Sequence, residues 1–161
     1  MKKGSPCVWL EKLNILISAC LLGDRVRYDG KCKSYDISKL ERYNLISCCP
    51  EVDGGLSVPR PASELQKDGK VINVEGLDVT SFFEKGADKA LKLVKAHDIK
   101  IAILKSKSPS CSNKMVYDGS FSGTLVEGKG LTVELLESCD VKVFDEHEID
   151  EALVYMKECY G

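Results

Sequence analysis

Apolar residues in this chain fall into short, nearly unbroken runs, interrupted by polar stretches and by one long helical repeat. Residues 13–19 (LNILISA) are apolar on almost every position, the mark of a strand buried on both faces. Residues 45–49 read as a second buried strand, ended abruptly by Pro50, and residues 100–104 (KIAIL) as a third. Residues 141–144 supply a fourth, and 71–74 a weaker candidate. Between these runs Phe82, Phe83, Ala87, Ala90, Leu91 and Val94 recur at helical spacing, which predicts a helix over 78–96 capped by Asp78. Shorter helices are predicted over 36–42, with Asp36 as N-cap, over 131–138 and over 148–158.

The stretches between are punctuated by turn residues. Residues 20–35 are polar and hold Gly23, Asp29 and Gly30. Two glycines and two prolines in residues 51–61 (EVDGGLSVPRP) argue against any regular element there. Residues 105–113 (KSKSPSCSN) form a polar loop, and the Gly- and Ser-rich residues 117–130 read as an extended excursion over the surface. Strands alternating with helices at this pace predict an α/β fold with a mostly parallel sheet. Residues 13–161 make a single domain behind an N-terminal extension, 1–12, with no internal repeat.

Composition narrows the function. The 161 residues are 43% apolar and 30% charged with a net charge of -2, so the chain is no basic nucleic-acid binder. No apolar run approaches the ~20 residues that cross a bilayer. Met1-Lys2-Lys3 is followed by no apolar signal segment, so a reducing, cytoplasmic location is expected. Charge is uneven: residues 112–161 hold 4 Lys or Arg against 11 Asp or Glu. The ordinary meaning is a solvated acidic face; it also leaves an electropositive first two-thirds, suited to thiolates or an anionic ligand. Eight cysteines are the unusual feature, although they fall below the roughly 8–10% that marks a disulfide scaffold.

In open parallel sheets ligands bind beyond the carboxyl ends of the strands. That rule selects three of the eight thiols. Cys20 ends the first strand, Cys49 ends the second, and Cys111 lies in the loop after the third; if those strands are neighbours about 4.8 Å apart, their end loops can meet in one place. Thiolates are the ligands soft metals select. Each cysteine taken alone is as well explained by filling the core. Cys48 neighbours Cys49, but adjacent strand residues face opposite sides, so only one of the pair is expected to reach the site. Cys32, between two lysines, is a marginal extra. Cys7, Cys139 and Cys159 receive no role. There is no CxxC, no P-loop and no dinucleotide fingerprint. His97 and His147 stand far from the cysteine loops, which weakens any Cys–His hydrolase reading.

The motifs resemble a known family. Ser18-Ala19-Cys20-Leu21-Leu22-Gly23 with Val26-Arg27-Tyr28-Asp29-Gly30 matches its opening. Cys49-Pro50-Glu51-Val52, Gly54-Gly55-Leu56 and Pro59-Arg60 match its second block, Lys105-Ser106-Lys107-Ser108-Pro109-Ser110-Cys111 its third and Tyr117-Asp118-Gly119 its fourth. Over roughly residues 13–145 the chain is similar to the thiouracil desulfurase family. Ser112 stands where that family suggests glycine, and residues 13–161 are expected to match the family's single core domain without the second C-terminal domain of some members.

The resemblance implies a Rossmann-like three-layer domain with a [4Fe-4S] cluster on Cys20, Cys49 and Cys111, one iron being left open for substrate sulfur. It places Glu51 and Ser108 at the acid/base and substrate-positioning places. Beside it, Arg27, Arg60 and Lys107 are candidate substrate-binding cations, and Lys105 and Lys107 suit thiolates or an anionic cluster. The expected substrate is a small thiolated pyrimidine or similar thiocarbonyl compound, hydrolysed without net electron transfer. Two other readings stay open: a sulfur carrier or iron–sulfur scaffold, and an interaction protein whose cysteines hold zinc or nothing. Glu51 paired with Arg60 at the surface, and Ser108 as an ordinary turn residue, are the corresponding plain readings.

Overall fold

The structure, a computed structural model, describes residues 13–31 and 35–160. In chain order the elements are β1 (Asn14–Ser18), β2 (Asn44–Cys48), α1 (Pro50–Asp53), β3 (Ser63–Leu65), β4 (Val71–Asn73) and α2 (Thr80–Ala96). There follow β5 (Ile101–Leu104), β6 (Met115–Tyr117), β7 (Leu125–Glu127), α3 (Leu131–Ser138), β8 (Lys142–Asp145) and α4 (Ile149–Tyr160). Short 3-10 helices occupy Ala19–Leu22 and Ser38–Leu40. Cys7 and Cys32 lie outside the described residues.

Four strands form one sheet in the order β2-β1-β5-β8, every pair parallel. Side chains alternate between its faces. Leu16, Ala102, Leu104 and Val143 pack under α2 and α3 through Ala90, Val94, Val133 and Leu136. Ile15, Ile17, Ile101, Ile103 and Phe144 pack against α4 through Ala152 and Met156. Helices therefore cover both faces, which is why β1 and β5 read as unbroken apolar runs. The predicted α/β, mostly parallel architecture is what forms.

Several local expectations are revised. β2 is an edge strand, and of its five residues only Cys48 is buried; its apolar run is shared with solvent on one side. Residues 51–61 are not wholly irregular, because Pro50 opens a one-turn helix. Proline suits a first helical position, its fixed φ being already helical. The helix expected over 36–42 shrinks to the 3-10 turn Ser38–Leu40, with the Asp36 carboxylate accepting the Ser38 amide at 3.0 Å. Asp78 lies just ahead of α2 and accepts the Thr80 amide at 2.9 Å. Residues 117–130 do run over the surface, and within them the chain turns back so that β7 pairs with β6 as an antiparallel hairpin. A second hairpin joins β3 to β4. Three-residue strands leave almost no periodicity in sequence, so both hairpins depend on pairing and packing.

Two glycines seat α1 against α2. A Cβ at Gly86 would lie 1.8 Å from the Pro50 carbonyl oxygen, and one at Gly54 would lie 2.0 Å from that of Phe82. Backbone meets backbone at both positions, and no side chain can swing aside. Glycine in a helix interior is unfavourable by ~1 kcal/mol relative to alanine, so Gly86 is retained for space. Gly86→Ala is expected to destabilise the fold despite the better helix former, by about 1–3 kcal/mol in urea unfolding. Ser81→Ala, at an exposed position of the same helix, should stay within about 0.5 kcal/mol of the parent.

Candidate active site

Strand order explains where the site lies. From β1 the chain goes first to β2 on one side, then to β5 on the other, so the sheet reverses its winding at β1 and β5. In such sheets the crevice at the carboxyl ends of the switch strands is where ligands bind. Cys20 follows β1 in the 3-10 helix Ala19–Leu22, which Gly23 ends at φ 91° in the left-handed region. Cys49 follows β2 as the N-cap of α1, its amide donating to Asp53 Oδ2 at 3.1 Å. Cys111 lies in the loop after β5.

That third loop is tightly built. Ser108 Oγ accepts the amides of Ser110 at 3.0 Å and Cys111 at 3.1 Å. The start of α3 holds the same segment from behind: the Leu131 and Thr132 amides donate to the Pro109 and Ser110 carbonyls, each at 3.0 Å. Gly130 permits this approach, since a Cβ there would fall 2.3 Å from the Ser110 carbonyl carbon. Ser112, at the position where glycine was expected, is buried and its hydroxyl donates to the Met115 carbonyl.

These loops enclose a cavity of about 600 Å³. All eight residues singled out in the sequence line it: Cys20, Cys49 and Cys111, Glu51 and Ser108, and Arg27, Arg60 and Lys107. Burial pushes the Cys20 thiol up to about 11; Cys49 adds to this, while Lys105 and Arg27 oppose it. Burial likewise raises Cys111 to about 12, against hydrogen bonds from Ser110 and Ser18. Cys49 is raised by burial as well. Burial thus holds all three thiols toward their protonated form, and a metal group bound through them would have to displace those protons. Among the described residues no three His, Cys, Asp or Glu side chains gather closely enough for one metal ion. The donor set offered is three thiols around a shared space, which fits a multi-iron group anchored at separate corners.

Glu51 sits at the centre of the polar network. Arg60 Nε donates to Glu51 Oε1 at 3.1 Å, with only 5% and 16% of the two side chains exposed. Ser108 and Ser110 hydroxyls donate to Glu51 Oε2 at 3.3 and 3.4 Å. Ser110 also reaches Cys111 Sγ at 3.4 Å. So Glu51 does pair with Arg60, but inside the cavity and not at the surface. The Arg60 guanidinium is further committed to the Val26 carbonyl at 3.0 Å and the Ser57 carbonyl at 3.1 Å. Arg27 is looser, 3.7 Å from Asp29. Lys107 is exposed and holds a φ of 68°, uncommon for a residue with a Cβ.

Some neighbours were not foreseen. Ser18 ends β1, and its Oγ accepts the Lys105 amide at 2.9 Å. Ser110 bridges Glu51 to Cys111; its only signal in the sequence is its place beside that cysteine. Glu146, after β8, pairs with Lys105 at 3.0 Å and accepts the Ser106 hydroxyl at 2.8 Å. Cys48 also lines the cavity although it packs in the core with Leu16 and Cys111, so both members of the Cys48–Cys49 pair border the site. His97, His147, Cys139 and Cys159 are not among the residues lining it. No helix among the described residues is long and apolar enough to cross a membrane.

Comparison with known proteins agrees with this geometry. The sequence matches the 2-thiouracil desulfurase family over residues 15–148. It is 36% identical over 150 residues to Uncharacterized protein YbbK of Bacillus subtilis (strain 168), a match spanning 86% of this chain and 99% of that protein. A solved structure of the [4Fe-4S]-dependent thiouracil desulfidase TudS shares 41% identity and a TM-score of 0.85, covering 91% of this chain and 99% of that one. A family match across nearly the whole sheet, cysteine loops included, leaves one assignment: the chain belongs to the 2-thiouracil desulfurase family.

Proposed function

We propose that the protein is an iron–sulfur-dependent desulfurase that exchanges the sulfur of a thiocarbonyl compound such as thiouracil for oxygen from water. The observation that carries this reading is the meeting of three thiols from three strand ends with a buried carboxylate in one cavity. Cys20, Cys49 and Cys111 are the ligands of a [4Fe-4S] cluster. Bound there, with three protein ligands for four irons, the cluster supplies an open iron, a Lewis acid soft enough to prefer a thiocarbonyl sulfur over a carbonyl oxygen.

The remaining chemistry belongs to the side chains. Glu51 takes a proton from the water that attacks the thiocarbonyl carbon. Arg60 holds one carboxylate oxygen in place, which leaves Oε2 for proton transfer. The hydroxyls that already touch Oε2, Ser108 and Ser110, orient water or substrate there, and Ser108 supports the developing oxyanion. The water oxygen bonds to the carbon as Glu51 takes one of its protons; the carbonyl then re-forms as the carbon–sulfur bond breaks, the second proton leaves with sulfur as hydrosulfide, and Glu51 releases the first to solvent. No electrons are consumed. Arg27 and Lys107, the less committed cations of the cavity wall, bind anionic or polar groups on the substrate.

Anaerobic reconstitution followed by iron and sulfide analysis tests the ligand assignment. Cys20→Ala, Cys49→Ala and Cys111→Ala should each lose cluster binding, while Cys48→Ala keeps most of it; the reverse result for Cys48 and Cys49 would exchange their roles. Glu51→Gln should retain the cluster yet lower kcat by about 10²–10⁴-fold, the usual contribution of a positioned acid/base. Incubation with 2-thiouracil should yield uracil and sulfide in equal amounts without added reductant. A requirement for reductant would overturn the hydrolytic route.

A further inference from the structure

The β6–β7 hairpin forms a part of the cavity wall that neither the thiols nor Glu51 accounts for. Tyr117 at the end of β6, and Phe121 and Gly123 in the turn, all line the cavity. Phe121 has a φ of 58°, a left-handed conformation that is a genuine outlier for a bulky side chain. Such backbone strain persists only where the surroundings impose it, and it concentrates at functional sites. Packing in the interior does not impose it, because Phe121 belongs to none of the core clusters.

Glu64 on β3 does. Its Oε1 accepts the amides of Gly119 and Phe121, both at 3.0 Å. Gln66, just beyond the same strand, donates to the Gly119 carbonyl at 3.2 Å. Glu64 is only 9% exposed, lines the same cavity, and has no cationic partner among the described ion pairs. A buried carboxylate without a countercharge is a costly way to fasten a turn. Asp118 already closes that turn locally by accepting the Ser120 amide at 2.9 Å. What Glu64 adds is the fixed position of Phe121 at the cavity.

We infer that Phe121 is a specificity-determining residue whose ring stacks on a planar heteroaromatic substrate, and that Glu64 is the positioning residue that holds it there. The planar substrate rests on the reading given above; the contribution of Phe121 and Glu64 is tested apart from the reaction, by uracil binding. Aromatic–base stacking is sequence- and substituent-tolerant, because every base presents a π-face. The cavity thus selects for a flat ring while the thiols and Glu51 act on its thiocarbonyl.

Two measurements on the cluster-loaded protein test this: steady-state kinetics with 2-thiouracil and calorimetric titration with uracil. Phe121→Ala should raise both KM and the uracil Kd at least ~5-fold with kcat within about twofold, and Phe121→Tyr should stay near the parent. Glu64→Ala should shift the same constants in the same direction, and Glu64→Gln, which keeps an acceptor oxygen, should restore them. A merely structural role for Glu64 would lower kcat or folded content and leave KM alone. Parental KM and Kd in Phe121→Ala would overturn the stacking and leave the desulfurase reading intact. Phe121-dependent uracil binding without sulfide release would support the stacking and overturn desulfuration. A parent protein that neither binds uracil nor turns over thiouracil would overturn both.

Discussion

Parallel pairing on both sides of β1 is the constraint from which the site follows. Ser18 lies level with Cys48 across one ladder, and Ile17 with Ile103 across the other. Adjacent strands stand only ~4.8 Å apart, so the segments leaving their carboxyl ends must share one crevice. Because the chain goes from β1 to β2 on one side and then returns past β1 to β5 on the other, the winding reverses there and leaves the crevice open. Three cysteines placed two, one and seven residues beyond strand ends are then brought to a common space by topology.

The crevice is kept open by contacts that leave no freedom to adjust. α1 rests on α2 through Gly54 and Gly86, and the Cys111 loop rests on the start of α3 through Gly130. Each is a backbone-to-backbone approach, so the two loops that present Cys49, Glu51, Ser108 and Cys111 are located by rigid elements. A site that must meet several corners of one rigid group benefits from such pre-organisation, since ordering the ligands has been done during folding. The cost is visible in the same residues: buried thiols pushed far up their titration range, a carboxylate needing three donors, and two left-handed non-glycine residues, Lys107 and Phe121, at the cavity wall. Functional sites in stable folds commonly hold this kind of local strain.

Glu51 illustrates how one residue carries both a plain and a functional meaning. Its pairing with Arg60 is what nine-residue spacing in a Gly- and Pro-rich segment allows, and a surface pair of that sort contributes little to stability. Burial alters it. Inside the cavity the pair has little water around it, and two serine hydroxyls from a segment more than fifty residues away complete the carboxylate's hydrogen bonds.

Much of this was legible along the chain, and for a physical reason. Strands buried on both faces require unbroken apolar residues, so residues 13–19 and 100–104 announced themselves; helix α2 did so through its repeat; and the carboxyl-end rule then pointed to Cys20, Cys49 and Cys111 without any knowledge of distance. Short-range chemistry was written locally as well, in Asp36 and Asp78, whose carboxylates accept the Ser38 and Thr80 amides just ahead of their helices. The rest depends on contacts between segments distant in sequence. Whether β2 was central or at an edge, how residues 117–130 turned back to pair β7 with β6, and which oxygen of Glu51 met which hydroxyl are matters of pairing and packing. Three-residue strands and single serines carry no periodic signal, because their energies come from partners the chain supplies only once it has folded.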